Sequence, residues 1–329
     1  MINVAINGFG RIGRYTLKTL LEKKNIKVSA INDLSIPDLM GHLFKYDSIH
    51  GIYPKDVSIK KDILNIGNTQ IKLFNEKNPE DLPWNNLEID VVIEATGRFL
   101  TEDLANKHIK AGAKKVITTA PLKEGNAPTI VVGINDNILN SSEKIISNAS
   151  CTTNCLAPMV KLIDENWGIN RGFINTIHAY TADQNLQDGP HKDFRRARAA
   201  AQSIIPTSTG AAKAVGLILP HLNGKLDGLA MRVPVINGSL VDFTAQIKSK
   251  TSRDKINDIF KNASENNLKG ILQYNQDPIV SVDIIGNPHS CIFDSALTYV
   301  NEDLIKIIGW YDNEAGYSHR VTDLIEIIF

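Results

Sequence analysis

The chain is poor in cysteine, with only Cys151, Cys155 and Cys291 in 329 residues. So sparse and odd a set excludes a disulfide framework and makes a reducing, cytosolic compartment the expectation. Long apolar runs are missing too: no stretch reaches the roughly 18 residues that a membrane-spanning helix needs. Net charge is absent, with 36 Lys and Arg against 36 Asp and Glu. That balance gives no wholesale attraction to nucleic acid or to anionic membranes. No dedicated nucleic-acid partner is expected, and any anion must be recognised by local groups. No internal repeat or low-complexity segment interrupts the chain. Residues 1–6 run straight into a glycine-rich turn without the basic and apolar regions of a signal peptide, so none is expected.

What remains is the composition of an ordinary folded protein, 43% hydrophobic and long enough for about two domains. Over the first 150 residues short apolar runs alternate with amphipathic ones. Strands are expected over 2–7, 26–31, 90–95, 115–119, 130–134 and 144–150, with helices over 11–23 and 105–111. Such alternation predicts an α/β, doubly wound, mostly parallel sheet of Rossmann type. A helix follows from 151 to about 166. Longer runs come next, at 173–179, 229–235, 240–248, 279–285, 292–299 and 305–311. They predict a second, α+β domain with a largely antiparallel sheet. A terminal helix is expected over 317–329.

Gly8-Phe9-Gly10-Arg11-Ile12-Gly13 follows the first strand and opens the first helix, the context that the G-x-G-x-x-G pattern requires. Gly8 permits a tight turn, Gly10 lets backbone approach a pyrophosphate, and Gly13 lets helix and strand pack closely. The helix start favours the anion. Asp33, twenty residues beyond Gly13, stands where a carboxylate accepts the adenosine ribose hydroxyls and repels a 2′-phosphate. Leu34 beside it offers such a phosphate no donor. The pattern predicts NAD rather than NADP; a glycine-rich turn with no cofactor is the alternative.

Cys151 stands between an apolar strand and a helix. A helix start lowers a thiol's pKa, often to between about 3.5 and 7.5, and a neighbouring imidazole both pairs with a thiolate and handles protons. His178, at the end of an apolar strand, is the best-placed partner, although spacing does not exclude the other seven histidines. A core cysteine, a metal site shared with Cys155 and a cysteine hydrolase are the competing readings. Pro206-Thr207-Ser208-Thr209-Gly210-Ala211 reads as a hydroxyl-rich turn into a helix, either an anion cradle or a capped helix. Residues 191–198 carry four Lys or Arg, which reads as a solvated face or a nucleic-acid patch. Arg232 interrupts a strand-like apolar run and needs an anionic partner or a polar cleft.

Taken together these motifs resemble the glyceraldehyde-3-phosphate dehydrogenases of the phosphorylating, tetrameric type. The likeness runs from Asn7-Gly8-Phe9-Gly10-Arg11-Ile12-Gly13-Arg14 through Lys45-Tyr46-Asp47-Ser48, Ser150-Cys151-Thr152-Thr153-Asn154-Cys155 and Pro206-Thr207-Ser208-Thr209-Gly210 to Asp312-Asn313-Glu314. The resemblance implies an NAD-binding domain over 1–150, joined by a terminal helix over about 315–329, and a catalytic domain over 151–314. It implies that Cys151 is the nucleophile and His178 its base. Gly8, Gly10, Arg11, Ile12, Gly13, Asp33, Lys77, Thr119 and Asn313 would bind NAD, Asn313 by the nicotinamide carboxamide. Ser150, Thr152, Thr181, Arg196, Thr209, Gly210 and Arg232 would hold the substrate's phosphate and inorganic phosphate. The basic segment becomes a loop at a subunit interface of a cytoplasmic homotetramer, with no metal. Lys77, Gly189, Ala315 and Val235-Ile236-Asn237-Gly238-Ser239 depart from the commoner family pattern. The intact Thr207–Gly210 turn disfavours the erythrose-4-phosphate relative. Intact Cys151 and His178 disfavour a non-catalytic protein that binds NAD or RNA.

Overall fold

Apolar residues at Val4, Ala5 and Ile6 pack the first strand, β1 (Ile2–Asn7), into the interior with no exposed surface. Gly10 then starts α1 (Arg11–Leu20), whose Gly13, Thr16, Leu17 and Leu20 recur at helical spacing and are buried. In the computed structural model, which describes all of residues 1–329, the chain continues as β2 (Ile26–Asn32), α2 (Pro37–Lys45) and the short pair β3 (Tyr46–Asp47) and β4 (Gly51–Ile52). A meander follows, β5 (Val57–Lys60), β6 (Ile63–Ile66) and β7 (Thr69–Phe74). After it come β8 (Val91–Glu94), α3 (Glu102–Lys110), β9 (Lys115–Thr118) and β10 (Ile145–Ser147). The strands form one sheet in the order β10-β9-β8-β1-β2-β7-β6-β5, parallel from β10 to β7 and antiparallel beyond. The chain leaves β1 towards β2 on one side and returns to β8 on the other. This reversal of strand order opens a crevice at the carboxyl ends.

The second sheet follows α4 (Cys151–Trp167). From there the chain runs through β11 (Ile169–Ala179), β12 (Ile205–Ser208), α5 (Ala211–Ile218), β13 (Leu226–Val233), β14 (Ser239–Ile247), α6 (Arg253–Glu265), β15 (Leu272–Asn275), β16 (Cys291–Asp294), β17 (Tyr299–Asn301) and β18 (Leu304–Tyr311) to a last helix, α7 (Ala315–Ile328). The order is β12-β13-β11-β14-β18-β16-β15, with β17 on β18. Only β11–β13 and β15–β16 pair in parallel. The residues fall into two compact units: 1–130, 138–149 and 318–329 in one, and 131–137 with 150–317 in the other.

Three expected strands are corrected. Ile130, Val131, Val132 and Ile134 are buried, as their composition demands, but Asn135 Oδ1 takes the N–H of Val131 (2.8 Å) and Asp136 Oδ1 that of Gly133 (2.7 Å). Side-chain acceptors therefore make a turn where a strand would need backbone partners. Residues 279–285 form a short 3₁₀ turn at Ser281–Ile284, with Asp283 accepting from Val280 N–H. The run 292–299 breaks after Asp294, whose carboxylate caps a second 3₁₀ turn. The meander β5–β7, α2 and α6 carry too short or too weak an apolar pattern to be foreseen.

A buried polar row ties the carboxyl ends of the first sheet. Trp84 Nε1 donates to His108 Nδ1 (3.0 Å), so the imidazole proton is on Nε2, which donates to Glu94 Oε2 (3.1 Å). Asn7 Nδ2 donates to the same oxygen (2.6 Å). Asn32 Nδ2 donates to Asn7 Oδ1 (2.7 Å), and Glu76 N–H to Asn32 Oδ1 (2.8 Å). Nearby, Asp47 accepts from Arg11 Nη1 (2.9 Å) and from the N–H groups of Ile49 and His50. Burial alone would raise its carboxyl; these donors outweigh burial and hold it at about 2. A depressed carboxyl stabilises the fold above its unfolded pKa, and the contribution is lost as pH falls through the folded value. Asp47→Asn is therefore expected to lower stability by about 2 kcal/mol at neutral pH, with the deficit closing between about pH 4 and pH 2. Urea denaturation over that range checks it, and a deficit independent of pH would assign the loss to packing instead.

Candidate active site

In the first unit, a cleft of about 530 Å³ lies over the carboxyl ends of the strands, lined by Gly8, Gly10, Asn32, Asp33, Lys77 and Thr96 among others. Two glycines of the fingerprint are required by space. Gly8 has φ +95°, and a Cβ there would lie 2.6 Å from Thr96 N; a Cβ at Gly13 would lie 2.1 Å from Gly8 O. Gly10 faces open space, which leaves the N–H groups of the α1 start available to an anion. Asp33 accepts from Phe9 N–H (2.7 Å) and Ser35 N–H (2.8 Å). Burial would raise its carboxyl, but these donors and the Arg14 guanidinium outweigh burial and keep it below the usual carboxylate range. Arg11 is held by Asp47, and Lys77 stands exposed at the rim. Ile12 is half-buried. Thr119 gives both its N–H and its hydroxyl to Glu94 O. The cradle, the helix start and the carboxylate fit a dinucleotide.

The second site belongs to the other unit. Ser150 caps α4, its Oγ accepting from Thr153 N–H (3.1 Å), so Cys151 is the first helical residue. It is half-buried, and its Sγ lies 3.5 Å from Nε2 of His178, which is 4% exposed. The parallel register of β11 with β13 sets His178 opposite Arg232. His178 Nδ1 lies 2.6 Å from Ala179 O. This carbonyl only accepts, while the Arg232 guanidinium beside Nδ1 only donates; the shorter contact, to the carbonyl, assigns the ring proton to Nδ1 and leaves the Nε2 lone pair for the sulfur. Arg232 Nη1 donates to the same carbonyl (3.0 Å) and lies 2.7 Å from Nδ1.

At this pair burial runs against the lowering that a helix start gives a thiol. Burial pushes the Cys151 thiol above its ordinary value, against the opposite pull of Arg232 and of the N–H groups of residues 151 and 152. Burial, with Arg232 second, lowers His178 to about 3. Both shifts favour the uncharged forms of the thiol and the imidazole.

Among the expected anion ligands, Thr152 does not offer its hydroxyl. It is buried against Tyr311 Oη (2.9 Å), which also meets Thr176 Oγ1 (2.9 Å). What Thr152 leaves free to an anion is a backbone N–H in the first turn of α4. Arg196 is engaged by Asp183, by Thr207 Oγ1 (2.9 Å) and by Ser208 O (3.3 Å). Thr209 Oγ1 accepts from Ala211 N–H at the start of α5, next to exposed Gly210. Thr181 is half-buried. Asn313 is 6% exposed. Its Oδ1 accepts from Ser239 Oγ (2.9 Å), while its Nδ2 has no partner in the chain. Sequence reasoning did not single out Tyr311, Ser239 or Asp47. Only their places beside Asp312-Asn313, at the start of β14 and within Lys45-Tyr46-Asp47-Ser48 hinted at them.

Because the Arg232 charge opposes burial at the sulfur, Arg232→Gln is expected to move the midpoint of Cys151 alkylation by iodoacetamide to higher pH. Alkylation rates measured across pH on cofactor-free protein check this, and an unmoved midpoint would remove Arg232 from the electrostatics of the pair.

Comparison with known proteins agrees with this arrangement. Residues 2–102 match the model of the glyceraldehyde 3-phosphate dehydrogenase NAD binding domain, and residues 150–313 that of the C-terminal domain. The chain is 52% identical over 334 residues to glyceraldehyde-3-phosphate dehydrogenase of Mycobacterium avium, covering 99% of this chain and 98% of that one. It is 53% identical over 327 residues to that of Streptomyces coelicolor, covering 98% and 97%. With both halves matched and the likeness running from end to end, the chain belongs to the glyceraldehyde-3-phosphate dehydrogenase family.

Proposed function

We propose that this chain oxidises D-glyceraldehyde 3-phosphate with NAD and inorganic phosphate to 1,3-bisphosphoglycerate, a glycolytic and gluconeogenic reaction, through a thioester on Cys151. The observation that carries the reading is the 3.5 Å approach of Cys151 Sγ to the Nε2 lone pair of His178 at a helix start. Sγ adds to the aldehyde carbon while its proton passes by way of His178 to the carbonyl oxygen, giving a thiohemiacetal. The helix-start N–H groups favour the negative charge that builds on that oxygen. His178 then takes the hydroxyl proton as the carbon is oxidised to the thioester. NAD, when bound, supplies the acceptor for the hydride. Phosphate oxygen attacks the thioester carbon, the C–S bond breaks, and His178 returns a proton to the sulfur. The thioester keeps the acyl-transfer potential that direct attack by water would waste.

In this reading the N-terminal unit, with the terminal helix, is the NAD-binding domain and residues 151–314 the catalytic domain. Gly8, Gly10, Arg11, Ile12, Gly13, Asp33, Lys77 and Thr119 hold the dinucleotide, and Asn313 holds its carboxamide. Arg196 and Arg232, with Ser150, Thr152, Thr181, Thr209 and Gly210, take the two phosphates. The guanidinium of Arg196 is already poised among acceptors that an arriving anion replaces. We further infer a cytoplasmic homotetramer. The family resemblance supports it, as do free cysteines and the apolar side chains of Phe173, Leu229 and Leu304 exposed on the second sheet. No helix is long and apolar enough to cross a membrane.

Cys151→Ser is expected to abolish NADH formation, roughly a thousandfold or more, while leaving NAD binding intact; surviving turnover would misplace the nucleophile. NADH formation that does not depend on inorganic phosphate, or a preference for erythrose 4-phosphate, would overturn the proposed substrates. Asp33→Ala is expected to narrow the preference for NAD over NADP at least tenfold, read as the ratio of kcat/KM values.

A further inference from the structure

The segment Val235-Ile236-Asn237-Gly238-Ser239 departs from the usual family pattern and has no part in the chemistry above. In the fold it grips the turn that presents Asn313. Gly238 has φ +88°, and a Cβ there would lie 2.4 Å from Ser281 O, so the segment turns tightly against a neighbouring backbone. On one side of this turn, Asn237 Nδ2 donates to Asp312 Oδ2 (3.0 Å). Asp312, fully buried, also accepts from the N–H groups of Gly286, Glu314 and Ala315. These bonds fix the main chain on both sides of residue 313. They leave the side-chain amide of Asn313 free to rotate and to exchange its oxygen with its nitrogen.

Ser239, on the other side of the turn, removes that freedom. Its residue is 1% exposed and opens β14 opposite Tyr311 of β18. Its Oγ accepts from Ala179 N–H (3.1 Å) and donates to Asn313 Oδ1 (2.9 Å). A hydroxyl has one proton. That proton goes to the amide oxygen; with the amide turned round the hydroxyl could accept from Nδ2 but its own proton would lose this acceptor, so Nδ2 is the outward donor. The carbonyl of the same residue, Ala179, accepts from Nδ1 of His178. One residue of β11 thus anchors the imidazole through its C=O and the Asn313 amide, by way of Ser239, through its N–H.

We propose that Ser239 is a positioning residue, whose hydroxyl sets the side-chain orientation of Asn313 and registers it to the strand end that carries His178. This deepens the reading that Asn313 takes the nicotinamide carboxamide, and it rests on that reading. Ser239 touches no reacting atom; it acts through Asn313. Without the hydroxyl the nearly buried amide oxygen loses its donor, and the amide turns that oxygen outward, setting an acceptor against the carboxamide oxygen.

The test is a double-mutant cycle on the full chain, read first as NAD affinity by fluorescence quenching or calorimetry. Ser239→Ala and Asn313→Ala are each expected to weaken NAD binding about tenfold, the scale of a lost neutral hydrogen bond, and the double variant to bind no more weakly than Asn313→Ala. The KM for NAD should rise in Ser239→Ala while the KM for the aldehyde phosphate stays within about twofold. The rate of Cys151 alkylation by iodoacetamide in cofactor-free protein should also be unchanged. Ser239→Thr and Ser239→Val, which share a shape and differ by the hydroxyl, decide the matter if the alanine variant does not fold: threonine should bind NAD several-fold more tightly than valine. Additive losses in the cycle, equal affinities for threonine and valine, or a fall in Cys151 alkylation matching the loss of NAD affinity would overturn the role of Ser239. Unaltered NAD affinity in Asn313→Ala would instead overturn the reading of Asn313 itself.

Discussion

The pairing of β11 with its two neighbours is the constraint from which the chemistry of this protein follows. His178 reaches the sulfur because β11 runs parallel to β13 on one side and antiparallel to β14 on the other, in a register fixed over most of their lengths. That register puts Arg232 opposite His178 and brings the first residue of β14 beside the end of β11. A slip of one residue would turn the imidazole to the other face of the sheet and separate it from Cys151, whose own place is set by the start of α4. The Cys151–His178 pair is therefore held by strand register on one side and by a helix cap on the other, two features that do not depend on a ligand.

Burial and charge pull against each other at this pair, and burial prevails. The effect on the thiol and the effect on the imidazole have the same physical origin, the cost of holding a charge away from water. A neutral pair avoids that cost. It also leaves the Nε2 lone pair ready to receive a proton when the sulfur bonds to carbon. Arg232 eases the ionisation of the thiol but opposes that of the imidazole, so it favours a thiolate without favouring an ion pair. Its half-buried guanidinium is itself pulled towards the uncharged form by desolvation.

Much of this was legible in the residues, for identifiable reasons. The glycine fingerprint, Asp33 and the Cys151 helix start depend on local chain geometry, and local geometry is written in consecutive residues. The period-two runs of β11, β14 and β18 are long enough to read. The turn at 131–136 was misread because its apolar residues are buried as a strand's would be, while the deciding acceptors, Asn135 and Asp136, lie beyond the run. The meander β5–β7 is built of strands of four to six residues with partly exposed faces, too short to stand out. Ser239, Tyr311 and Asp47 are invisible for a different reason. Their importance lies in partners far away in sequence, Ala179 and Asn313, Thr152 and Thr176, and Arg11. A serine or a tyrosine carries no mark of such a bond.

The buried row beneath the dinucleotide cleft runs towards Glu94 from both ends. An indole N–H at Trp84 and a main-chain N–H at Glu76 can only give hydrogens, and the carboxylate between them can only receive. The imidazole of His108 and the amides of Asn7 and Asn32 are each reversible in isolation, but here their direction is dictated from the ends. None can turn round without setting two donors or two acceptors face to face. The floor of the cleft therefore has one polarity, and three strand ends inherit it at no cost in hydrogen-bonding capacity. A residue that could give but not receive would break the row at one joint if it replaced His108, Asn7 or Asn32, and at two if it replaced Glu94, where both arms end.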